Sequence, residues 1–183
     1  MLDVRHLPRR LTGFGAVLLA LGFLVFLATV PGYSRDSALD HFNRARKLIR
    51  ENDLKAAQQE LEEAYDLDDE DPDIRRYLSL ISNNLAVRMV DAGNYEEALP
   101  YYEKSLEIEP EDDIVRMNYA RCLASNERPY DAILVFDDLT ESDNPETVQK
   151  ARWKLADTYY SLREFERASD ELEEVVYTDE KDG

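Results

Sequence analysis

The sequence predicts an all-α fold, a right-handed α-solenoid of about four helix-turn-helix repeats that follows a single transmembrane helix. Three observations predict it. A small residue recurs at Ala57, Ala98, Ala132 and Ala168, with spacings of 41, 34 and 36, and a large apolar residue follows each four positions later. Residues 11–30 carry no charge at all. Six Gly and seven Pro among 183 residues favour long regular elements over a turn-rich β fold, and the mix of Ala, Leu, Glu, Arg and Lys favours helix.

The chain opens with a short basic tail, residues 1–10, containing Arg5, Arg9 and Arg10. The uncharged run after it rises about 1.5 Å per residue as a helix and so spans roughly the 30 Å of a bilayer's hydrocarbon core. A transmembrane signal-anchor is therefore expected over residues 11–31, with Pro31-Gly32 ending the helix and residues 32–37 as a juxtamembrane linker. The run is longer than the apolar core of a cleaved signal peptide, and no A-x-A motif follows it. The basic flank Arg5, Arg9 and Arg10 places the N-terminus in the cytoplasm and the remainder on the extracytoplasmic, periplasmic side. Thr12, Ala16 and Ala20 recur every fourth position, with Gly13, Gly15 and Gly22 close by, a pattern that lets a second transmembrane helix approach. Arg44, Arg46, Lys47 and Arg50 lie beyond the span and are candidates for contact with anionic lipid headgroups.

Residues 38–183 form the repeat domain. Each of the last three marker alanines follows a helix with a large-small-x-x-large pattern: Leu85-Ala86 with Met89, Tyr119-Ala120 with Leu123, and Leu155-Ala156 with Tyr159. Small residues at facing points let two antiparallel helices come close while the large neighbours fill the flanks. One such pair cannot bury its own apolar face, so stacked copies share a core. The pattern resembles the tetratricopeptide repeat, most closely over residues 79–112, where Leu85, Ala86, Gly93, Tyr95, Ala98, Tyr102 and Pro110 all fall in place and Ser82 stands for the usual Trp. The other units are 38–71, with Asn52 at the turn glycine, 113–146, with Pro129 in its turn, and 149–182, with Arg163-Glu164-Phe165 there. The 41-residue first spacing predicts a lengthened helix from Ile74 to about Asp91, with Pro72 in its first turn and Asp71 and Asp73 favouring its N-terminus. That extension is the expected place of a protein-specific contact.

The resemblance implies a concave groove lined by the first helix of each unit. Carried onto this sequence, its partner-binding positions include Phe42, Asn83, Val87, Met117, Arg121, Lys150, Trp153, Asp157 and Tyr160. Relatives that grip a C-terminal carboxylate use a basic and Asn clamp, which Asn118, Lys150 and Lys154 match in the last two units, whereas Asn83 and Val87 depart from it in the first. Trp153, the single Trp, is the expected hot spot. In the fourth unit the apolar residues Leu172, Val175, Val176 and Tyr177 are either covered, by a partner or a second copy, or left as a slightly exposed terminal repeat.

Little else in the chain points to chemistry. Residues 36–183 hold 39 acids against 18 bases, a net of -21, which repels phosphate and disfavours nucleic acid. No phosphate loop, nucleophile elbow or zinc motif is present, so no catalytic, metal or cofactor site is expected. The acidic run at residues 66–71 lacks the Gly and Glu of a calcium loop, with Asp71 and Tyr77 in their places. The expectation is a non-enzymatic scaffold or accessory subunit of a membrane complex, bound to membrane-associated proteins through the groove. The alternative is a receptor or co-chaperone-type adaptor that captures extended or basic polypeptide segments.

Overall fold

The computed structural model describes residues 31–182, with side chains over 37–175. The expected transmembrane run and its small-residue face, Thr12, Gly13, Gly15, Ala16, Ala20 and Gly22, lie outside the described residues. Among the described residues no helix is long and apolar enough to cross a membrane. Eight helices follow one another: α1 Pro31–Arg50, α2 Leu54–Leu67, α3 Pro72–Asp91, α4 Tyr95–Ile108, α5 Asp113–Ser125, α6 Pro129–Leu139, α7 Pro145–Ser161 and α8 Phe165–Asp182. Each packs on its sequence neighbours, most closely within the pairs α1–α2, α3–α4, α5–α6 and α7–α8. The first helices of successive pairs also touch, α3 on α5 and α5 on α7. This is a helix-pair solenoid, with one departure at its start. Pro31 stands in the first turn of α1, and residues 32–37, expected as linker, are helical. Proline has no amide hydrogen to lose in a first turn, which is why the position tolerates it.

The turn inside every pair has one backbone solution. Asn52, Gly93, Glu127 and Arg163 occupy the same repeat position, five residues before the marker alanine, with φ of 61°, 79°, 57° and 63°. In each turn the following amide donates to a carbonyl five residues back: Asp53 to Leu48 at 3.0 Å, Asn94 to Met89 at 2.8 Å, Arg128 to Leu123 at 3.0 Å and Glu164 to Tyr159 at 2.9 Å. These Schellman closures satisfy carbonyls that the helix end leaves open, and they require a left-handed residue. The turns between pairs use a different device. Asp71, Asp112 and Asn144 cap α3, α5 and α7 with side-chain oxygens that accept amides of the first turn, and Pro72 and Pro145 follow two of them.

The core runs along the array beneath these turns. Ala45, Ala57, Ala86, Ala98, Ala120 and Ala132 are fully buried, as are Leu61, Phe136 and Leu155, and Tyr102 is nearly so. Two apolar clusters meet in α3 and α4, and Tyr101 packs against both. The lengthened α3 belongs to the first of them. Ile74 and Leu78 bury their side chains with Phe42, Leu61 and Ile108, and the Arg75 guanidinium donates to the Ile108 carbonyl and approaches Glu109 to 3.6 Å. The inner face of the extension is thus occupied by the protein itself. Buried polar groups are few and mostly paired: Ser79 and Ser105 exchange hydroxyl contacts at 2.8 Å between α3 and α4.

The left-handed turns make an opposed pair of predictions. A Cβ at Gly93 would meet nothing within 4 Å, so Gly93→Ala should cost only its backbone conformation, about 1 kcal/mol. Glu127→Gly and Arg163→Gly should each gain a comparable amount, less the entropy glycine adds to the unfolded chain, about 0.5 kcal/mol net. Urea midpoints of the three variants test the signs.

A second prediction concerns alkaline stability. Burial pushes the Tyr102 phenol up to about 12, whereas an unfolded tyrosine ionises near ~10. Between those values the folded chain holds a proton that the unfolded chain has lost, so stability is complete below the lower value and falls as pH rises toward the upper one. Tyr102→Phe should make the decline of the urea midpoint with pH shallower over that window.

Candidate groove between the first helices

The first helix of each pair turns apolar residues to solvent. Leu39 on α1, Leu80 on α3, Ile114 on α5, and Trp153 and Tyr160 on α7 are all exposed by half or more. Side chains on one helix face recur every three or four residues, so a helix packed inward on alanine and leucine positions necessarily presents a second face outward. Between α5 and α7 these outward faces enclose a pocket of about 590 Å³ lined by Asp113, Ile114, Met117, Asn118, Arg121, Thr147, Lys150, Trp153 and Lys154. Six of the eleven groove residues expected from sequence therefore converge in one place: Met117, Asn118, Arg121, Lys150, Trp153 and Lys154.

The pocket has an apolar wall and a basic one. Ile114, Met117 and the half-exposed indole of Trp153 form the first. The second carries three cations against the single carboxylate of Asp113, and these cations differ in availability. Lys150 donates to Glu146 at 2.6 Å and Lys154 to Asp157 at 3.1 Å. The Lys150 ammonium in turn holds the Glu146 carboxyl below the usual carboxylate range. Arg121 has no ion-pair partner among the described residues and is exposed. A planar guanidinium without a partner can accept a bidentate carboxylate, and Asn118 beside it offers an amide. Asp157 sits with Arg121 and Lys154 in an adjoining pocket of about 270 Å³. On the other side of α5, the extension of α3 forms a third pocket of about 470 Å³, with Arg76, Tyr77, Leu80 and Asn83 facing Asp112 and Val115. The buried Oδ1 of Asn83 has no partner among the described residues.

Other expected positions lie elsewhere. Phe42 is 8% exposed and packs edge-to-face on Tyr77, ring centroids 5.2 Å apart, so it is a core residue and not a groove anchor. The reason is the lengthened α3, whose extra turns bring Tyr77 over a position that is open in an unextended repeat. Val87 is half-buried against the core. Tyr160 is exposed but lies against Phe165, outside the pocket, with ring centroids 5.4 Å apart. The basic cluster on α1 is partly engaged within the protein. Arg44 donates to Glu60 at 2.8 Å and holds its carboxyl below the usual range, Arg46 lies 5.8 Å from the Phe42 ring centroid, and Lys47 pairs with Glu51 at 3.8 Å. Arg50 is exposed. Asp113 and Thr147 were not expected in the site. They come from the first turns of α5 and α7, and the signal for them is the pair of caps Asp112 and Asn144, which fix where those helices begin.

Comparison with known proteins bears on the same residues. A family model described as tetratricopeptide repeat matches residues 89–152, and a second with the same description matches residues 149–182. The chain carries tetratricopeptide repeats. Among solved structures, the repeats resemble YrrB, a TPR protein described as having an unusual peptide-binding site, at 20% identity and a TM-score of 0.50 over 89% of this chain and 81% of that one. A tetratricopeptide repeat protein from Parabacteroides merdae aligns at 20% identity and a TM-score of 0.57 over 80% of this chain and 55% of its own. MamA from AMB-1 aligns at 18% identity and a TM-score of 0.54, over 91% and 84%. At these identities the likeness is one of fold. No curated protein matches the chain. Tetratricopeptide repeats mediate protein–protein contact, and nothing in the fold or the site indicates an enzyme. Among the described residues no three His, Cys, Asp or Glu side chains gather as a metal site would require.

Proposed function

We propose that this protein is a membrane-anchored scaffold, or an accessory subunit of a membrane complex, that holds a polypeptide segment of its partner in the groove between α5 and α7. The observation that carries this reading is the pocket in which Trp153, Met117 and Ile114 face Arg121, Lys150 and Lys154. It suits a segment that places an apolar side chain on the indole and a carboxylate near the free guanidinium of Arg121, with Asn118 as a second donor. YrrB, a relative in fold described as having an unusual peptide-binding site, supports a peptide-binding reading of an array of this kind. The anchor is residues 11–31, whose uncharged run is long enough for a bilayer. Tethering confines the groove to the membrane plane, where effective concentration raises a weak contact to a useful one. The basic flank before the run supports a cytoplasmic N-terminus and an extracytoplasmic repeat domain.

The rival is a receptor for basic segments, and the formal net charge of -18 favours it at long range. The groove itself favours the first reading, because a basic segment would meet three cations there. The two readings differ in sign at one residue. Full-length protein in gentle detergent, used to recover co-purifying chains, should lose most of its capture on Trp153→Ala, a hot-spot loss of about 2 kcal/mol. Its melting temperature should barely move, since the indole is half exposed. Arg121→Glu should weaken capture further. Unchanged recovery with Trp153→Ala removes the groove from the mechanism, and stronger capture with Arg121→Glu selects the receptor for basic segments. Digestion of the repeat domain in sealed vesicles of known sidedness tests the orientation.

A further inference from the structure

The last helix leaves exposed an apolar stripe whose counterpart on α2 is buried. On α8, Phe165, Ser169 and Leu172 stand at i, i+4 and i+7, on one side of the helix. Their counterparts on α2 are Leu54, Gln58 and Leu61, which are 8%, 9% and 0% exposed because α3 lies over them. Phe165 is 57% exposed and Leu172 36%, whereas the residues matching Leu172 in the second and third units, Tyr102 and Phe136, are 2% and 1% exposed. The α8 stripe is thus the surface on which a further helix of the array would pack, and among the described residues no helix covers it.

We propose that this face docks an amphipathic helix of a partner protein, with an apolar stripe flanked by Lys or Arg. The charge beside the stripe selects that occupant. Glu166, Asp170 and Glu173 are exposed on α8 and have no ion-pair partner among the described residues. A second copy meets the face badly from either end. Its own α8 brings the same carboxylates, and like charges repel. Its α1 presents exposed Asp40 and Arg44 at the positions where covering helices carry Ile81 and Leu85, which are 2% and 3% exposed. A basic amphipathic helix supplies both missing parts, apolar area for Phe165 and Leu172 and cations for the three carboxylates.

The test uses the full chain in detergent micelles and a synthetic helical peptide with Leu at i, i+4 and i+7 and Lys on either side, beside a counterpart with Glu in place of Lys. Binding is followed by fluorescence anisotropy and located by amide hydrogen exchange. The Lys peptide should bind and protect α8, the Glu peptide should not bind, and raised salt should weaken the complex. Two variants separate the contributions: Phe165→Ser with Leu172→Ser removes the apolar stripe, and Glu166→Gln with Asp170→Asn and Glu173→Gln removes the charge. Each should weaken binding about tenfold or more while circular dichroism stays unchanged, since all five side chains are exposed and the one ring contact among them, Phe165 on Tyr160, is itself at the surface. The proposal is overturned if the Lys peptide fails to bind, if protection maps to α5 and α7, or if the serine pair leaves affinity intact. It is also overturned if the protein self-associates and Leu172→Glu abolishes that association, because the cover would then be a second copy.

Discussion

The close approach of two helices at an alanine carries this structure. Ala45 and Ala57, Ala86 and Ala98, Ala120 and Ala132, and Ala156 and Ala168 lie on the two helices of each closely packed pair, all at 5% exposure or less. A larger side chain at either point would push the helices apart and open voids around Leu61, Tyr102 and Phe136, which fill the space beside the crossing. The crossing also sets the turn. Two helices that start this close leave room for only a tight Schellman closure, which explains why four chemically different residues, Asn52, Gly93, Glu127 and Arg163, adopt one left-handed conformation. The packing decides the backbone, and the residue type then decides how much strain the turn holds.

Much of this was legible in the sequence because the governing positions are small, capped or proline. The marker alanines, Asp71 ahead of α3, and Pro72 at its start each have a direct physical reason to be where they are. The long α3 followed from counting alone, since seven extra residues amount to about two helical turns and keep the same face inward. Glu127 and Arg163 gave no such signal. Arg163 was placed in its turn by position, but neither residue type prefers positive φ, so their left-handed conformation had no signal in the residue types. Pro129 was legible as a turn residue, and it proves to open α6.

The groove was half legible, and the missing half has one cause. Repeat positions carried from unit to unit assume that the units are alike, and the first two are not. The extension of α3 covers Phe42 with Tyr77 and turns an expected anchor into core, while its outer side adds Arg76 beside Leu80 and Asn83 of the regular repeat. In the third and fourth units, where the spacing is regular, six transferred positions line one pocket, while Asp157 lies in the adjoining one and Tyr160 outside both. The same reasoning corrects the end of the array. Val175, expected among the uncovered residues, is 2% exposed because it points toward α7, whereas Leu172, three residues earlier, points away.

The two ends of the solenoid are solved differently, and that difference bears on function. At the start, the helix position that is apolar in later units, Leu85 and Leu155, is the exposed Arg44, tied to Glu60 and His41. Charge there keeps the first face in water and blocks stacking. At the finish, the equivalent adaptation is absent from the stripe itself, because Phe165 and Leu172 remain apolar and only their rim is acidic. Solubility alone would favour the first arrangement at both ends. Among the described residues the array guards one end and leaves the α8 stripe uncovered, and its groove cations and α8 carboxylates suit opposite chemistries. On the proposed reading, one chain with both surfaces holds two unlike segments, and the groove and the α8 face need not compete for the same one.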